Sequence, residues 1–96
     1  MSPHKRKKLS KIRSELDKLD NTLIKVIKKR TSLVNKVLAL KDKKNQIVDH
    51  RRINLILKNI KKKSIQYKID PKITNRIWKN MIWSYIDYEK RNFKKK

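Results

Sequence analysis

The apolar residues between positions 9 and 40 recur at alternating intervals of three and four, which places them on one face of an α-helix. The members of this stripe are Leu9, Ile12, Leu16, Leu19, Leu23, Val26, Leu33, Val37 and Leu40. The stripe has one gap, and Arg30 fills it. The pattern predicts one long helix from about Leu9 to Lys41, with a coiled-coil-like packing face.

Two further helices are predicted after a polar break at Asp42–Gln46. Asp49 is a candidate N-cap for the second helix, which fades near Tyr67. In Asp70-Pro71, a capping residue precedes a proline suited to the first helical position, so the third helix is predicted to begin there. Because the chain also has no glycine and only two prolines, we predict an all-α fold of three helices.

The length of 96 residues allows one domain at most. We expect a basic disordered segment over residues 1–8, a helical domain over residues 9–93 and a basic tail over residues 94–96. A chain this short buries only a modest core alone. We therefore expect a helical oligomer that shares its core between subunits.

The charge balance is strongly basic, with 30 Lys and Arg against 8 Asp and Glu and a formal net charge of +22. Such a surface suits nucleic acid or an anionic membrane, but it also fits a lysine-rich solvated surface. Lysines occur along most of the chain, so we keep nucleic-acid binding as an alternative and not as the main function. A positive field would also steer a small anionic substrate towards the protein.

Several classes of protein do not fit the sequence. Cysteine is absent, and His4 and His50 have no matching set of metal ligands, so neither disulfides nor a metal site is expected. The basic N-terminal residues are not followed by an apolar stretch of the kind found in signal peptides. The longest uncharged run, Asn80–Ile86, is too short to span a bilayer. We expect a cytoplasmic protein without a membrane partner.

Arg30 and Lys41 are candidates for binding a small anionic ligand. They are eleven residues apart, close to three helical turns, so they project from nearly the same face about 16 Å apart. Arginine offers a planar fork that binds a carboxylate through two hydrogen bonds. The alternatives are an ion pair for Arg30 and a solvated helix end for Lys41. Arg13 lies about 25 Å before Arg30 on a straight helix, so it can share that ligand only from another subunit.

Three acidic or basic residues near the later helices also call for an explanation. Glu89 extends an otherwise apolar or aromatic stripe, where its carboxyl either carries a proton, because burial disfavours the charged form, or pairs with a lysine. Asp49 and Arg52 lie one turn apart, which an N-cap and an ion pair explain without any function.

Together these residues resemble the all-helical, AroQ-type chorismate mutases. Residues 12–20, IRSELDKLD, are similar to the family's opening pattern IRxxIDxLD. Residues 30–41 are similar to RxxLVxxVxxxK, and residues 47–52 match IxDxxR. Ile69-Asp70-Pro71 matches the turn before the family's third helix. The resemblance covers about residues 9 to 93.

The resemblance implies an intertwined homodimer that rearranges chorismate to prephenate in the synthesis of phenylalanine and tyrosine. Such an isomerase uses no cofactor, metal or covalent intermediate. By position, Arg30 and the Arg13 of the other subunit would bind the two carboxylates of the substrate. Arg52 would help to form the carboxylate pocket.

The remaining roles implied by the resemblance concern the bond that breaks and the ring. Lys41 would donate a hydrogen bond to the ether oxygen as the C–O bond breaks, and Asp49 would hold the ring hydroxyl. Glu89 occupies the position where the family places Gln or Glu against the same ether oxygen. Tyr85 stands at a substrate-binding position where a small hydroxyl residue is common.

Two departures from the mutase pattern resemble the isochorismate pyruvate lyases of the same fold, which form salicylate. Ile53 replaces the Glu that usually follows the second-helix arginine, and Tyr85 is larger than the usual residue. Because Asp49 is retained, we favour the mutase and keep the lyase as an alternative.

Overall fold

The protein consists of three α-helices in a computed structural model that describes residues 1–94. These helices are α1, Pro3–Leu40, α2, His50–Gln66, and α3, Pro71–Asn92. A short 3-10 helix, Lys44–Gln46, lies between α1 and α2, and the described residues include no strand. The prediction of an all-α fold with a long first helix is confirmed. Residues 95 and 96 of the predicted basic tail lie outside the described residues.

Helix α1 begins six residues before its predicted start. The Ser2 hydroxyl accepts a hydrogen bond from the backbone N–H of Lys5 at 3.2 Å, and Pro3 occupies the first position of the helix. A capping serine followed by proline is a strong start signal, because it satisfies one backbone donor and presets the helical φ. The prediction of a disordered segment over residues 1–8 is therefore corrected for residues 3–8, which are helical.

The starts of α2 and α3 agree with the sequence prediction, since both rest on a capping aspartate. The Asp49 carboxylate accepts from the backbone N–H of Arg52 at 3.0 Å. The Asp70 carboxylate accepts from the backbone N–H of Lys72 at 2.9 Å. Each carboxylate thus satisfies a backbone donor that the first turn of a helix leaves unpaired.

The turn between α2 and α3 contains one residue in the left-handed region. Lys68 has a φ of 58°, and it is the only described non-glycine residue with positive φ. Its backbone N–H donates to the Ile65 carbonyl at 3.1 Å, and that of Ile69 donates to the Ser64 carbonyl at 2.8 Å. These bonds close the end of α2 in the manner usually reserved for glycine.

The chain divides into two compact units, residues 1–34 and the residues from Asn35 onward. The first unit consists of α1 up to Val34 with the two residues before it, and its apolar stripe is open to solvent. Four consecutive stripe residues are each more than half exposed, namely Ile12, Leu16, Leu19 and Leu23. A single helix has no second layer against which to bury such a stripe.

The second unit holds the core, which is small. Its buried apolar side chains are Leu38, Ile47, Ile82 and Ile86. The partly buried residues packed around them are Val48, Ile53, Ile56, Leu57 and Phe93. Helices α2 and α3 pack against each other, and the hydroxyls of Ser64 and Thr74 lie 2.6 Å apart between them. Among the described residues, no helix combines the length and apolar character needed to cross a bilayer.

Candidate active site

The most distinctive polar contact of the second unit joins the end of α1 to the end of α3. Lys41 follows the last residue of α1, and its Nζ lies 2.9 Å from Oε2 of Glu89. The side chains are 18% and 10% exposed, so the pair is largely shielded from water. From the sequence, Glu89 was expected either to carry a proton or to pair with a lysine. The structure shows the pair with a lysine.

The Lys41–Glu89 pair leaves hydrogen-bonding capacity for a ligand. An ammonium group has three N–H donors, and Glu89 takes one of them. A carboxylate accepts hydrogen bonds but donates none unless it is protonated. Lys41 is therefore the donor of the pair, and the salt bridge with Glu89 fixes the position of the Lys41 ammonium group.

A cavity of about 490 Å³ lies beside Lys41. Its lining residues are Val37, Leu40, Lys41, Gln46, Val48, Asp49 and His50. Apolar side chains from the last turn of α1 face polar groups from the loop and from the start of α2. This size and mixture of groups suit one small ligand with a few polar atoms.

Asp49 takes part in both the fold and the cavity. One oxygen of its carboxylate caps α2 through the backbone N–H of Arg52, and the residue also lines the cavity. The ion pair predicted between Asp49 and Arg52 is not formed among the described residues, where their contact is this bond to the backbone. Since a carboxylate accepts several hydrogen bonds, the cap leaves capacity for a ligand hydroxyl.

Arg13 and Arg30 belong to the first unit, and neither is among the residues that line the cavity at Lys41. Arg13 is exposed, and it borders a second cavity of about 380 Å³. The other residues of this second cavity are Arg6, Leu9, Ser10, Ser14 and Asp17. Arg30 is partly buried. Within the second unit, the structure brings together Lys41, Glu89 and Asp49.

Tyr85 lies on α3 one turn before Glu89 and is partly buried. Its ring meets the ring of Tyr88 edge-on, with centroids 6.5 Å apart and an interplanar angle of 90°. The Tyr88 hydroxyl donates to Oδ1 of Asn35 at 2.9 Å, which ties α3 to the end of α1. Tyr85 and Arg52 are not among the residues that line the cavity.

Gln46 and His50 also line the cavity, and sequence reasoning missed both of them. Gln46 lay in the polar stretch that was interpreted only as a break between helices. The short connection between Lys41 and Asp49 could have indicated Gln46. If both of those residues bind one ligand, the loop between them must also lie near it. His50 was considered only as a metal ligand. Across the part of the chain that the structure describes, no group of three possible ligands is placed to hold a metal ion.

Comparison with known proteins supports the family suggested by the motifs. The family model for chorismate mutase type II matches residues 12–90, which is most of the chain. The matched range includes every residue assigned from the resemblance, from Arg13 to Glu89. Searches of curated proteins and of solved structures gave no match. The chain therefore belongs to the chorismate mutase type II family.

Proposed function

We propose that the protein is a chorismate mutase, an isomerase that converts chorismate to prephenate in the cytoplasmic synthesis of phenylalanine and tyrosine. One observation carries the proposal. In a chain of this family, Lys41 is held 2.9 Å from Glu89 beside a ligand-sized cavity that Asp49 also lines.

The proposed reaction suits a site without a nucleophile. In the rearrangement a C–O bond breaks as a C–C bond forms within one molecule, and negative charge develops on the ether oxygen. The protein has to hold a compact reactive conformer and to place a cationic donor at that oxygen. Lys41 supplies the donor through the N–H groups that Glu89 leaves available.

Glu89 has two tasks in this proposal. As a carboxylate, it orients the Lys41 ammonium group through the salt bridge. The second task excludes the first, since only a protonated Glu89 that has given up the salt bridge would donate a hydrogen bond to the ether oxygen, the role of Gln or Glu at this position in the family. The carboxylate of Asp49 accepts from the ring hydroxyl, and Tyr85 contributes to the substrate-binding surface.

The two carboxylates of chorismate are assigned to arginines. Arg30 binds one of them, Arg52 helps to form the pocket, and the Arg13 of a second copy completes the site. Bidentate pairing with a guanidinium fixes the orientation of a carboxylate as well as its position.

The same assignment requires a homodimer, and the exposed stripe of α1 supports one. Leu16, Leu19 and Leu23 are each more than half exposed in the single chain. Exposed apolar residues repeated along a whole helix are typical of a face that packs against another helix. We propose that the stripes of two copies cover each other.

Ile53 favours an isochorismate pyruvate lyase as the second candidate. Mutases usually have Glu here, and the Ile53 side chain packs against the core cluster in this structure. An apolar residue at this position cannot help to hold the ring hydroxyl. The lyase would eliminate pyruvate from isochorismate and leave salicylate.

A paired substrate assay tests the proposal. Purified protein is given chorismate and, separately, isochorismate, and the products are identified by chromatography, with Lys41→Ala as the control for contaminating enzymes. Prephenate formed by the wild type and lost in the variant supports the mutase. Salicylate and pyruvate from isochorismate, with little prephenate, would establish the lyase.

Turnover of neither substrate would reject both enzymatic candidates and favour a binding role for the basic surface. That role predicts an affinity for nucleic acid that falls steeply with salt. It also predicts that Arg30→Lys binds as well as the wild type, because a point charge suffices for a phosphate contact. A site that needs the arginine fork loses function in Arg30→Lys.

A further inference from the structure

We infer that Gln46 is a further ligand-binding residue of the cavity at Lys41, where its side-chain amide donates a hydrogen bond to an oxygen of the bound carboxylate substrate. This inference rests on the proposed function. It assigns to the loop between α1 and α2 a role that the sequence motifs do not include.

The orientation of the Gln46 amide is determined by its partners. Its Oε1 lies 2.7 Å from the backbone nitrogen of Asp42 and 2.9 Å from that of Lys43. Both partners are donors, and an NH₂ group cannot accept from them, so the oxygen must face the backbone. The NH₂ group is therefore the polar end that Gln46 offers to the cavity it lines.

The position of Gln46 is held from the backbone as well. Its own N–H donates to the Lys43 carbonyl at 3.1 Å, within the short 3-10 helix. The next residue, Ile47, is 3% exposed and belongs to the core. A donor fixed at both its backbone and its oxygen is in place before a ligand arrives, which lowers the entropic cost of binding.

The neighbours of Gln46 indicate which ligand atoms it would meet. The cavity places Lys41 and Asp49 beside it, a cationic donor and an anionic acceptor. A neutral amide N–H suits a carboxylate or hydroxyl oxygen, because it fixes the direction of that oxygen without adding charge. Under the proposed function the ring hydroxyl lies at Asp49 and the ether oxygen at Lys41, and one carboxylate is attached to the carbon that carries this ether oxygen.

The experiment compares Gln46→Glu with the wild type in the substrate assay. Glutamate has nearly the same shape and keeps the oxygen that accepts from Asp42 and Lys43, but it loses the NH₂ donor. Asn45→Asp is the matched control, because it adds the same charge at the neighbouring exposed position, which does not line the cavity. Circular dichroism and thermal unfolding report on the loop and the helices.

We expect Gln46→Glu to raise KM about ten- to a hundred-fold, the usual effect of losing a hydrogen bond to a charged group. We expect Asn45→Asp to change KM less than about three-fold. The KM ratio between the two variants should persist in added salt, since screening removes a charge effect but not a missing donor.

Other outcomes overturn the inference in distinguishable ways. If the enzyme is active but the two variants have equal KM values, Gln46 does not bind the substrate. The same conclusion follows if the KM ratio between the variants disappears in added salt. A lower melting temperature in Gln46→Glu than in Asn45→Asp would assign the residue to the loop alone. A wild type that turns over neither substrate would reject the proposed function, and the inference with it.

Discussion

The contact between Lys41 and Glu89 joins residues that are 48 positions apart in the chain. Their side chains are 18% and 10% exposed, so the pair lies between an exposed salt bridge, which contributes little, and a fully buried one. Removing one partner leaves the other charge poorly solvated. The contribution of the pair to the stability of the protein is therefore best tested by variants that retain or remove an acceptor for Lys41.

Glu89→Gln and Glu89→Ala should differ in their free energy of unfolding. The glutamine keeps an oxygen that accepts from Lys41, and we expect a loss of less than about 1 kcal/mol in the free energy of unfolding. The alanine leaves the ammonium without this acceptor, and we expect a loss of about 1.5–3 kcal/mol. Urea unfolding followed by circular dichroism measures both. Equal losses would show that an acceptor oxygen at position 89 does not by itself stabilise the fold.

Catalysis should follow the same order, because Gln occurs at this position in the family. We expect Glu89→Gln to retain activity and Glu89→Ala to lose about 10²–10³-fold in kcat/KM, because Lys41, the donor at the developing negative charge, is no longer held in place. Asp87→Ala is the control, since Asp87 is an exposed acid on the same helix. Wild-type activity in Glu89→Ala would remove the residue from the site.

The two capping aspartates allow helix capping to be tested separately from ligand binding. Asp49 and Asp70 make the same kind of bond, at 3.0 and 2.9 Å, but only Asp49 lines the cavity. We expect Asp49→Ala and Asp70→Ala each to lower the free energy of unfolding by about 1 kcal/mol. Only Asp49→Ala should also lower kcat/KM. Equal effects on activity would mean that Asp49 serves the helix alone.

The turn at Lys68 should be improved by glycine. A left-handed residue with a Cβ costs roughly 1–2 kcal/mol, and glycine loses part of that gain to its greater freedom in the unfolded chain. With φ at 58°, we expect Lys68→Gly to stabilise the protein by about 0.5–1 kcal/mol. Lys58→Gly, in the middle of α2, should destabilise it by about 1 kcal/mol. A loss of stability in Lys68→Gly would contradict this interpretation of the turn.

The helices could be predicted where their signals are local. Asp49 and Asp70-Pro71 mark helix starts within a few residues, and both predictions are confirmed. Ser2-Pro3 carries a similar signal, but it was missed because the apolar stripe begins only at Leu9. The helical pattern alone could not select Lys41 as the partner of Glu89, because many lysines were available. Only the resemblance placed both residues at one ether oxygen, and the packing of α3 on the end of α1 makes the contact.

The whole molecule combines a small core with an uncovered apolar face. Only four apolar residues of the described chain are buried, whereas Leu19, Ile24 and Leu40 are 62%, 65% and 81% exposed. An oligomer was predicted from the sequence because a chain this short buries only a modest core alone, and the dimer remains our proposal. The positive charge has opposing effects at this scale, since it would attract the proposed dianionic substrate but repels a second copy.

A mixing experiment tests whether the proposed site is shared between copies. We expect Arg13→Ala and Lys41→Ala each to be nearly inactive. Refolded together in equal amounts, they should regain about a quarter of wild-type activity, because half of the dimers are mixed and each mixed dimer contains one intact site. Lys41→Ala mixed with Glu89→Ala is the control, since both changes affect the same chain's part of the site. No recovery in the first mixture would place Arg13 outside the shared site.

The exposed stripe of α1 has a consequence for protein synthesis. A ribosome makes α1 before α2 and α3, so a nascent chain displays the stripe while Ile82 and Ile86 of the core are still untranslated. The closest matching surfaces at that moment belong to chains on neighbouring ribosomes of the same messenger RNA. If the proposed dimer forms, its pairing there would begin at a high local concentration, whereas chains released singly would have to meet by diffusion against their mutual charge repulsion. The density of ribosomes on the messenger RNA would thus influence the fraction of the protein that forms the proposed dimer.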